Sequence, residues 1–510
     1  MYNIKVTEMR NNMAIHTIDD NDIKSAVRAS EELKEYFSSR ASESGRALTY
    51  NLITYGCQLN ESDSEKLAGM LESFGLVPVQ HPHGSDTLVP ADVIVMNTCA
   101  IRENAEDRLF GNLGVYKKFK KDKSVSFIAV CGCMMKIGKN VDKIRSSYPY
   151  VDLVFDPQQL HRFPELMLAS LAVKHQQIDI GTTDYLVEDR YVPIRRERRF
   201  RALLPIMYGC NNFCNYCVVP YTRGRERSRN FDSVKDELRA LADEGYREVM
   251  LLGQNVNSYR GADNDGNTRT FLDVLDAASS IKEFSRVRFM SSHPKDLSQD
   301  VLSLMGERDN IEKHLHLALQ SGSDRVLRRM NRPYDLKTFL DIADSFRKKV
   351  PGGSLTTDII VGFPGETEED FELTLEAVRK AAFDAAFTFE FSARPGTPAY
   401  DYEDQIPKEV VSHRFARLLE IQNDLAFRSN SALIGKTLEV LTEGISKGDK
   451  KIYSGRTITN HLVNFEADPE FIKKAGIALD DDLEGALIPV RIDRARPYSV
   501  DGVMAGDIIR

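Results

Sequence analysis

The sequence predicts an α/β protein in three parts: an open α/β domain, a partial parallel (β/α)6 barrel and a small C-terminal β barrel. Strand-length apolar runs alternate with helix-length amphipathic segments, a pattern typical of parallel sheets. After Gly435 the pattern changes to short strands with turn residues between them, which indicates a small β barrel. We predict an N-terminal extension over 1–46, the open domain over 47–165, the partial barrel over 196–428 and the C-terminal barrel over 432–498.

The composition is that of a globular chain. Of its 510 residues, 42% are hydrophobic and 28% are charged, and no apolar run reaches the roughly 18 residues of a membrane span. Seven cysteines, an odd number, occur without a recognisable secretion signal, which favours metal or catalytic thiols over disulfides. Because the net charge is −8, nucleic acid would have to bind at a local basic surface. We therefore expect a cytoplasmic protein that does not bind membranes.

Three strands of the predicted open domain each run into cysteine. The pairs are 48–55 with Cys57, 93–97 with Cys99, and 125–130 with Cys131 and Cys133. Open parallel sheets bind ligands at the carboxyl ends of their strands, so these distant thiols should converge. The sequence therefore predicts a site with three thiols at this edge.

The middle of the chain repeats the strand–helix unit about six times. Its strands are predicted over 202–207, 248–252, 286–290, 314–319, 355–361 and 386–391. A long helix over 408–429 leads into the C-terminal barrel. The strands of that barrel are predicted over 437–442, 451–457, 462–465 and 486–495.

A second set of three thiols, Cys210, Cys214 and Cys217, follows the first strand of the partial barrel. Thiolates hold iron–sulfur clusters, and a four-iron cluster with three protein ligands leaves one iron open to a small chelating ligand. Zinc is the alternative, but structural zinc takes four ligands and no fourth candidate lies nearby in the sequence. We expect an iron–sulfur cluster at this loop.

Further motifs occur in order between residues 47 and 500. They are YGCQLNESDSE from Tyr55, NTCAIRE from Asn97, GCM from Gly132, GQNVNSY from Gly253, LALQSGS from Leu317, MNRPY from Met330, DIIVGFPGE from Asp358 and FSARPGT from Phe391. With the three-cysteine loop, they resemble the radical S-adenosylmethionine (SAM) methylthiotransferases. The resemblance implies an enzyme with two [4Fe-4S] clusters and SAM, which transfers sulfur and a methyl group to C2 of N6-isopentenyladenosine 37 in tRNA.

The resemblance also implies the cluster ligands. Cys210, Cys214 and Cys217 would hold the cluster that binds SAM, and Cys57, Cys99 and Cys133 would hold an auxiliary cluster involved in sulfur transfer.

Cys131 competes with Cys133 for the third place in the auxiliary set. We favour Cys133, because Gly132-Cys-Met134 matches the family's third ligand. Cys131 continues an apolar strand, where a lone cysteine is more often a small buried hydrophobe.

For SAM, the resemblance implies contacts at four places in the barrel. Tyr216 would lie against the adenine, Gly253, Gln254 and Asn255 would contact the amino group, Gln320 and Ser321 would lie by the ribose, and Ile360 and Pro364 by the adenine side. These strand-end residues could instead bind the tRNA base or cap helices. No side chain is assigned a catalytic role, since cofactors supply the difficult chemistry.

Two groups of residues are candidates for RNA binding. Arg223, Arg225, Arg227 and Arg229 recur at every second position and would point one way on an extended segment, where they could neutralise tRNA phosphates. The alternative is a solvated face. Residues 455–465 resemble the TRAM domain of RNA-modifying enzymes, with Arg456, Asn460 and His461 as candidate contacts. The alternative there is a barrel that only packs on the enzyme core.

As partners, the resemblance implies the anticodon stem–loop of tRNA, an electron donor and a sulfur or cluster donor, and we expect a monomer. Two rival functions stay open. One is the sister activity on threonylcarbamoyladenosine in tRNA or on an aspartate of a ribosomal protein. The other is a non-catalytic, metal-stabilised RNA-binding protein. The stretches 253–259 and 291–294 resemble the isopentenyl-type enzymes and favour the first reading over the sister activities.

Overall fold

The computed structural model describes residues 15–80, 88–100, 103–173, 175–181, 184–186, 192–446, 452–476 and 483–509. The chain forms two compact units. The first comprises 1–197, 205–211 and 217–229, and the second comprises 198–204, 212–216 and 230–510. Cys210 and Cys217 thus belong to the first unit and Cys214 to the second. In the described ranges, no helix is long and apolar enough to cross a membrane.

The first unit is built on a six-stranded parallel sheet with the order β3-β2-β4-β5-β6-β7. The first eight strands of the chain lie in this unit: β1 Ile15–Thr17, β2 Thr49–Tyr55, β3 Val77–Pro78, β4 Val93–Thr98, β5 Phe127–Gly132, β6 Leu153–Phe155, β7 Gln177–Asp179 and β8 Asp184–Leu186. Strands β1 and β8 pair separately. Strands β4 and β5 are buried along their whole length, as expected when both faces of a parallel sheet are covered.

Helices cover this sheet on both faces. They are α1 Asp20–Ser44, α2 Gln58–Ser73, α3 Glu103–Lys121, α4 Gly138–Ser147 and α5 Phe163–Leu171. Helix α1 begins with a capping box at Asp19 and buries Leu33 and Phe37 in the same apolar cluster as β2 and α2. Part of the predicted extension therefore contributes to the core of the first unit.

The second unit contains the partial barrel, whose six strands run in chain order in two parallel sets. The six barrel strands are β9 Arg201–Pro205, β12 Glu248–Leu252, β15 Arg286–Phe289, β16 His314–His316, β17 Ser354–Val361 and β18 Ala385–Glu390. Between them in the sequence lie two short strands of the first unit, β10 Met207–Tyr208 and β11 Arg227–Ser228, and a hairpin of β13 Arg260–Ala262 and β14 Thr268–Thr270. A parallel bridge between Ser292 and Leu317 joins the two sets, β9-β12-β15 and β16-β17-β18.

Helices alternate with these strands, as the apolar spacing predicts. They are α6 Val219–Thr222, α7 Phe231–Asp243, α8 Phe271–Ser279, α9 Gln299–Glu307, α10 Asp324–Arg329, α11 Leu336–Lys349, α12 Glu368–Ala381 and α13 Lys408–Ser431, with α6 lying in the first unit. The predicted strand 314–319 ends at His316, and the following backbone reaches a positive φ of 68° at Gln320.

The C-terminal part of the second unit is a closed five-stranded barrel with the order β19-β20-β21-β23-β22. Its elements are β19 Thr437–Ile445, β20 Ile452–Thr457, β21 Leu462–Glu466, α14 Pro469–Lys474, β22 Leu487–Ala495 and β23 Val500–Met504. The predicted α/β fold class, with its three kinds of sheet, is confirmed. The barrel includes β23, which lies beyond the predicted boundary at 498, because its parallel pairing with β21 and antiparallel pairing with β22 close the barrel.

Candidate functional site

The strand ends of the first sheet bring Cys57, Cys99 and Cys133 together. Cys57 is the N-cap residue of α2, and its thiol is hydrogen-bonded to that of Cys99. This bond and burial raise the pKa of Cys57, while burial, opposed by Arg223, raises the pKa of Cys133 to about 11. Both shifts favour the protonated thiol, so iron would have to displace a proton from Cys57 and from Cys133 on binding.

An amide network holds the carboxyl ends of β2 and β4 in register. The Asn60 side chain donates to Asn97 Oδ1 at 3.0 Å and accepts from the Cys57 thiol at 3.3 Å, and Asn97 donates to the Asn60 carbonyl at 2.9 Å. At the end of β5, Gly132 has a φ of 105°, and a Cβ there would lie 2.2 Å from the Thr98 carbonyl oxygen. Only glycine permits this close approach, which places Cys133 beside the other two thiols.

Cys131 and Cys133 have different surroundings. Cys131 belongs to the large apolar cluster that also contains Tyr50 and Val95. Cys133 packs with Ala100 and Val218 and contacts Arg223. The structure thus favours Cys133 as the third auxiliary ligand, an assignment that stays a proposal.

Arg223 requires a correction to the predicted arginine row. It is only 4% exposed, and its guanidinium contacts Asp63 Oδ2 at 2.7 Å and Cys133 Sγ at 2.8 Å. Burial alone would lower the pKa of Arg223, but Asp63 and Cys133 raise it well above its usual value. Arg223 is thus a charged side chain built into the auxiliary thiol site.

Two further arginines of that row are buried as well. Arg227 donates to the Arg225 carbonyl at 2.6 Å, and Arg229 donates to the Pro205 carbonyl at 2.9 Å. The segment is not extended throughout, because a turn with a φ of 77° at Gly224 precedes the two-residue strand β11. Of the four arginines, Arg225 alone is partly exposed, and the other three are buried.

The three-cysteine loop is anchored separately in each unit. In the first unit, the Cys210 amide donates to the Gly224 carbonyl at 3.2 Å, and a Cβ on Gly209 would lie 2.0 Å from the Arg225 carbonyl oxygen. That close approach, at a φ of 70°, requires glycine before the cysteine.

In the second unit, the MNRPY motif holds the middle of the loop. Arg332 Nη1 lies 3.4 Å from Cys214 Sγ and its Nε donates to the Tyr334 hydroxyl at 3.0 Å, while the Asn331 side chain donates to the Phe213 carbonyl at 2.9 Å. Sequence reasoning used this motif for the resemblance but did not assign Arg332 a role. The spacing between motif and loop gives no signal of the contact.

The residues expected near adenine lie together. Tyr216, Ile360 and Phe363 belong to one apolar cluster with Phe391, and the rings of Tyr216 and Phe363 meet edge to face at 6.5 Å. Pro364 follows Phe363 directly. The cluster offers an apolar surface to a planar base.

The end of β12 offers polar atoms that have no hydrogen-bond partner within the described residues. Asn255 donates to Asp296 at 2.7 Å, while its buried Oδ1 and both amide atoms of Asn257 are unsatisfied. Gly253 is buried and Gln254 is partly exposed at the same strand end. Unpaired buried polar atoms are costly, so this strand end suits a polar ligand.

His293, which sequence reasoning did not assign, lies after β15, and its buried Nε2 has no hydrogen-bond partner among the residues that the structure describes. Its Nδ1 accepts from the Lys295 amide at 3.1 Å, so the neutral ring carries its proton on Nε2. Burial, with Arg332 and Lys295, lowers the pKa of His293 to about 2. The imidazole is therefore a neutral donor.

Two predicted SAM residues differ from each other. Gln320 is buried in a left-handed turn, with its backbone hydrogen-bonded to β17. The fully buried Ser321 hydroxyl lies 3.3 Å from Thr374 Oγ1 and accepts from the Ser323 amide. These bonds order the loop, and the placement of Ser321 by the ribose stays a prediction.

The candidate RNA residues of the C-terminal barrel are partly exposed and make contacts inside the second unit. Asn460 Oδ1 accepts from Arg288 of β15 at 3.0 Å, and Arg456 donates to the Asn460 carbonyl at 3.1 Å and pairs with Glu443. The His461 ring is hydrogen-bonded to Thr459, and burial lowers its pKa. These contacts favour the alternative, in which this face of the barrel packs on the enzyme core.

The residues fit iron–sulfur clusters, since each set has three cysteines and a buried arginine at one of its thiols. Within the described ranges, no three His, Cys, Asp or Glu side chains are arranged to hold one metal ion.

Comparisons with known proteins agree with this donor set. Residues 204–378 match the Radical SAM superfamily and residues 49–156 match the Uncharacterized protein family UPF0004. The chain is 43% identical over 472 residues to a tRNA-2-methylthio-N(6)-dimethylallyladenosine synthase of Acetivibrio thermocellus, covering 92% of this chain and 94% of the relative. It belongs to the radical SAM tRNA methylthiotransferases.

A second methylthiotransferase, the enzyme of the same name from Clostridium botulinum strain Loch Maree, is 44% identical over 453 residues, which cover 88% of this chain and 95% of the relative. Among solved structures, the radical SAM methyltransferase TsrM from Kitasatospora setae matches 69% of this chain and 74% of its own, with 12% identity and a TM-score of 0.47. As a radical SAM methylthiotransferase, the protein is an enzyme whose cofactors are [4Fe-4S] clusters and SAM.

Proposed function

We propose that this protein is a tRNA-2-methylthio-N6-dimethylallyladenosine synthase, which replaces the C2 hydrogen of N6-dimethylallyladenosine 37 in tRNA by a methylthio group. The observation that carries the proposal is the 43% identity to an enzyme of that name over 92% of the chain. A match of that length includes both thiol sets wherever it begins.

Each thiol set is proposed to hold one [4Fe-4S] cluster. Cys210, Cys214 and Cys217 have the spacing of a cluster that leaves one iron open for SAM. Cys57, Cys99 and Cys133 would hold the auxiliary cluster, and their convergence at the edge of one sheet supports this. When bound, the clusters and SAM supply the one-electron chemistry needed at an unreactive C–H bond.

The chain's own residues would position the reactants. Arg223 and Arg332 each place a guanidinium against a cluster cysteine and would donate hydrogen bonds to thiolate sulfur. Asn255, Asn257 and His293 offer unsatisfied polar atoms for the amino-acid part of SAM. The substrate base would have to leave its stack to reach these residues. For a nucleotide in an exposed loop, unstacking costs little free energy.

The partners are proposals of the same kind. The anticodon stem–loop of tRNA would approach as substrate, with Arg225 as the arginine of the row that is accessible to a phosphate. An electron donor, a sulfur or cluster donor, a monomeric state, a cytoplasmic location and the four predicted domain boundaries stay predictions.

Nucleoside mass spectrometry of tRNA from cells that lack this gene tests the proposed function. We expect the loss of 2-methylthio-N6-dimethylallyladenosine with accumulation of its unthiolated precursor, and recovery on re-expression. Loss of methylthiolated threonylcarbamoyladenosine, or of a modified ribosomal aspartate, would replace the proposal by the sister activity. Anaerobic protein with zinc and no acid-labile sulfide would indicate the non-catalytic RNA-binding protein.

A further inference from the structure

Strand β18 presents two large apolar side chains to solvent. Phe387 is 52% exposed and Phe389 is 49% exposed. Side chains alternate along a strand, so these two rings lie on the same face, and β18 is the edge strand of the set β16-β17-β18. An exposed apolar patch on an edge strand favours aggregation and is retained where it binds something.

This face points away from helix α13 and toward the concave side of the partial barrel. Glu390, which alternates with the two phenylalanines, accepts a hydrogen bond from Ser412 of α13 at 3.0 Å. The even-numbered side of β18 is thus the helix side. The Phe387 ring instead meets the ring of His316 on β16 edge to face at 5.7 Å.

The neighbours across the sheet give the patch a mixed character. Register pairs Phe389 with Ile360 and Phe387 with Asp358 on β17. The Asp358 carboxylate is 29% exposed and lies 3.4 Å from His316 Nε2. The surface therefore consists of two rings and one aliphatic side chain, with a carboxylate beside them.

This surface selects among possible occupants. A phosphate, or the carboxylate of a threonylcarbamoyl group, would meet Asp358 and two rings that offer no hydrogen bond. A small branched hydrocarbon would be buried against the rings and Ile360, while polar atoms of an attached base could bond to Asp358. The chemistry fits an apolar substituent on a nitrogenous base.

We propose that Phe387 and Phe389, with Ile360, form the subsite for the dimethylallyl group of the substrate adenosine. The inference rests on the proposed function and adds a determinant of substrate choice to it. Because the subsite is apolar and lies beside a carboxylate, it distinguishes this substrate both from unmodified adenosine and from the acidic threonylcarbamoyl substrate.

The test uses purified holoenzyme with two tRNAs that differ only in the dimethylallyl group. We expect the wild type to prefer the prenylated tRNA in Kd and in kcat/KM for methylthiolation. Phe387→Ala/Phe389→Ala should reduce this preference by about tenfold or more, since one small apolar group is worth roughly 10- to 200-fold in discrimination. Affinity for unprenylated tRNA and SAM cleavage without tRNA should not change.

Leu373→Ala is the matched control, since Leu373 is 44% exposed on helix α12 and is no part of the proposed subsite. Phe387→Leu should keep more of the preference than the double alanine variant, because leucine retains apolar volume at this position. A double variant that keeps the wild-type preference, or wild type that binds both tRNAs equally, would overturn the subsite. Wild type that prefers prenylated tRNA but forms another product would overturn the proposed function alone.

Discussion

Replacing Arg223 by alanine should destabilise the first unit and its thiol site. The affinity for tRNA and its dependence on salt should stay almost unchanged. The guanidinium lies 2.7 Å from Asp63 and is 4% exposed. Removing one partner of a buried ion pair leaves the other charge uncompensated and costs about 3–5 kcal/mol. We expect a loss of that size in the free energy of unfolding. Because Asp63 is the residue left unpaired, Arg223→Ala/Asp63→Asn should be less destabilised than the single variant.

Three measurements on anaerobically purified protein check this prediction. Urea unfolding gives the free energy of unfolding. The iron and acid-labile sulfide contents should fall from about eight of each per chain toward about four. The third measurement is tRNA affinity as a function of salt concentration. Arg225→Ala is the control, since a lost phosphate contact reduces the salt slope by roughly 0.7 to 0.9. Arg223→Ala with wild-type stability and a slope reduced by that amount would show that the arginine binds RNA after all.

The remaining predictions concern the thiol choice, one histidine and one glycine. Cys133→Ala should lose the auxiliary cluster and methylthiolation but retain SAM cleavage, whereas Cys131→Ala should keep both clusters; the reverse pattern in iron analysis would contradict our choice. Because the pKa of His293 is lowered in the folded protein, the unfolded chain takes up the proton first as the pH falls. The neutral ring therefore contributes to the free energy of unfolding above pH 6.5, and this contribution is lost as the pH falls toward about 2. Wild type should therefore lose about 2 kcal/mol of unfolding free energy between pH 7 and pH 5 that His293→Gln does not lose, as measured by urea unfolding at the two pH values. Gly132→Ala should cost about 1–3 kcal/mol through backbone strain and reduce auxiliary iron, whereas Gly138→Ala, with nothing within 4 Å of the added Cβ, should do neither.

The sequence predicts those parts of the fold in which burial sets the pattern. Strand β12 is found at its predicted bounds, 248–252, and β4 and β5 read as apolar runs because both faces of the sheet are covered. Strand β23, with the residues Val-Asp-Gly-Val-Met, has no such pattern. It is a strand because its neighbours in the closed barrel pair with it, a tertiary effect that local propensity does not contain.

The site is predicted less completely, since a motif identifies a polar residue but not its partner. Cysteine positions follow from strand ends, and those residues converge. Asn460 resembled a residue for RNA contact, yet its amide oxygen accepts from Arg288 inside the second unit. Ser321 likewise bonds to Thr374, more than fifty residues away in the sequence. Such contacts depend on which helix or strand packs beside the motif, and one sequence does not contain that information.

The arginine segment shows where a periodicity argument stops. Spacing of two places side chains on one face only if the backbone is extended, and here a left-handed turn at Gly224 interrupts it. Arg223 then turns toward Cys133 and Asp63, while Arg229 bonds to the Pro205 carbonyl. A guanidinium at a cluster thiolate stabilises negative charge on sulfur, and electrostatics of this kind tune an iron–sulfur site. The first arginine of the segment therefore bonds to Asp63 and Cys133, and we propose that Arg225 and the Phe387–Phe389 subsite take part in tRNA recognition instead.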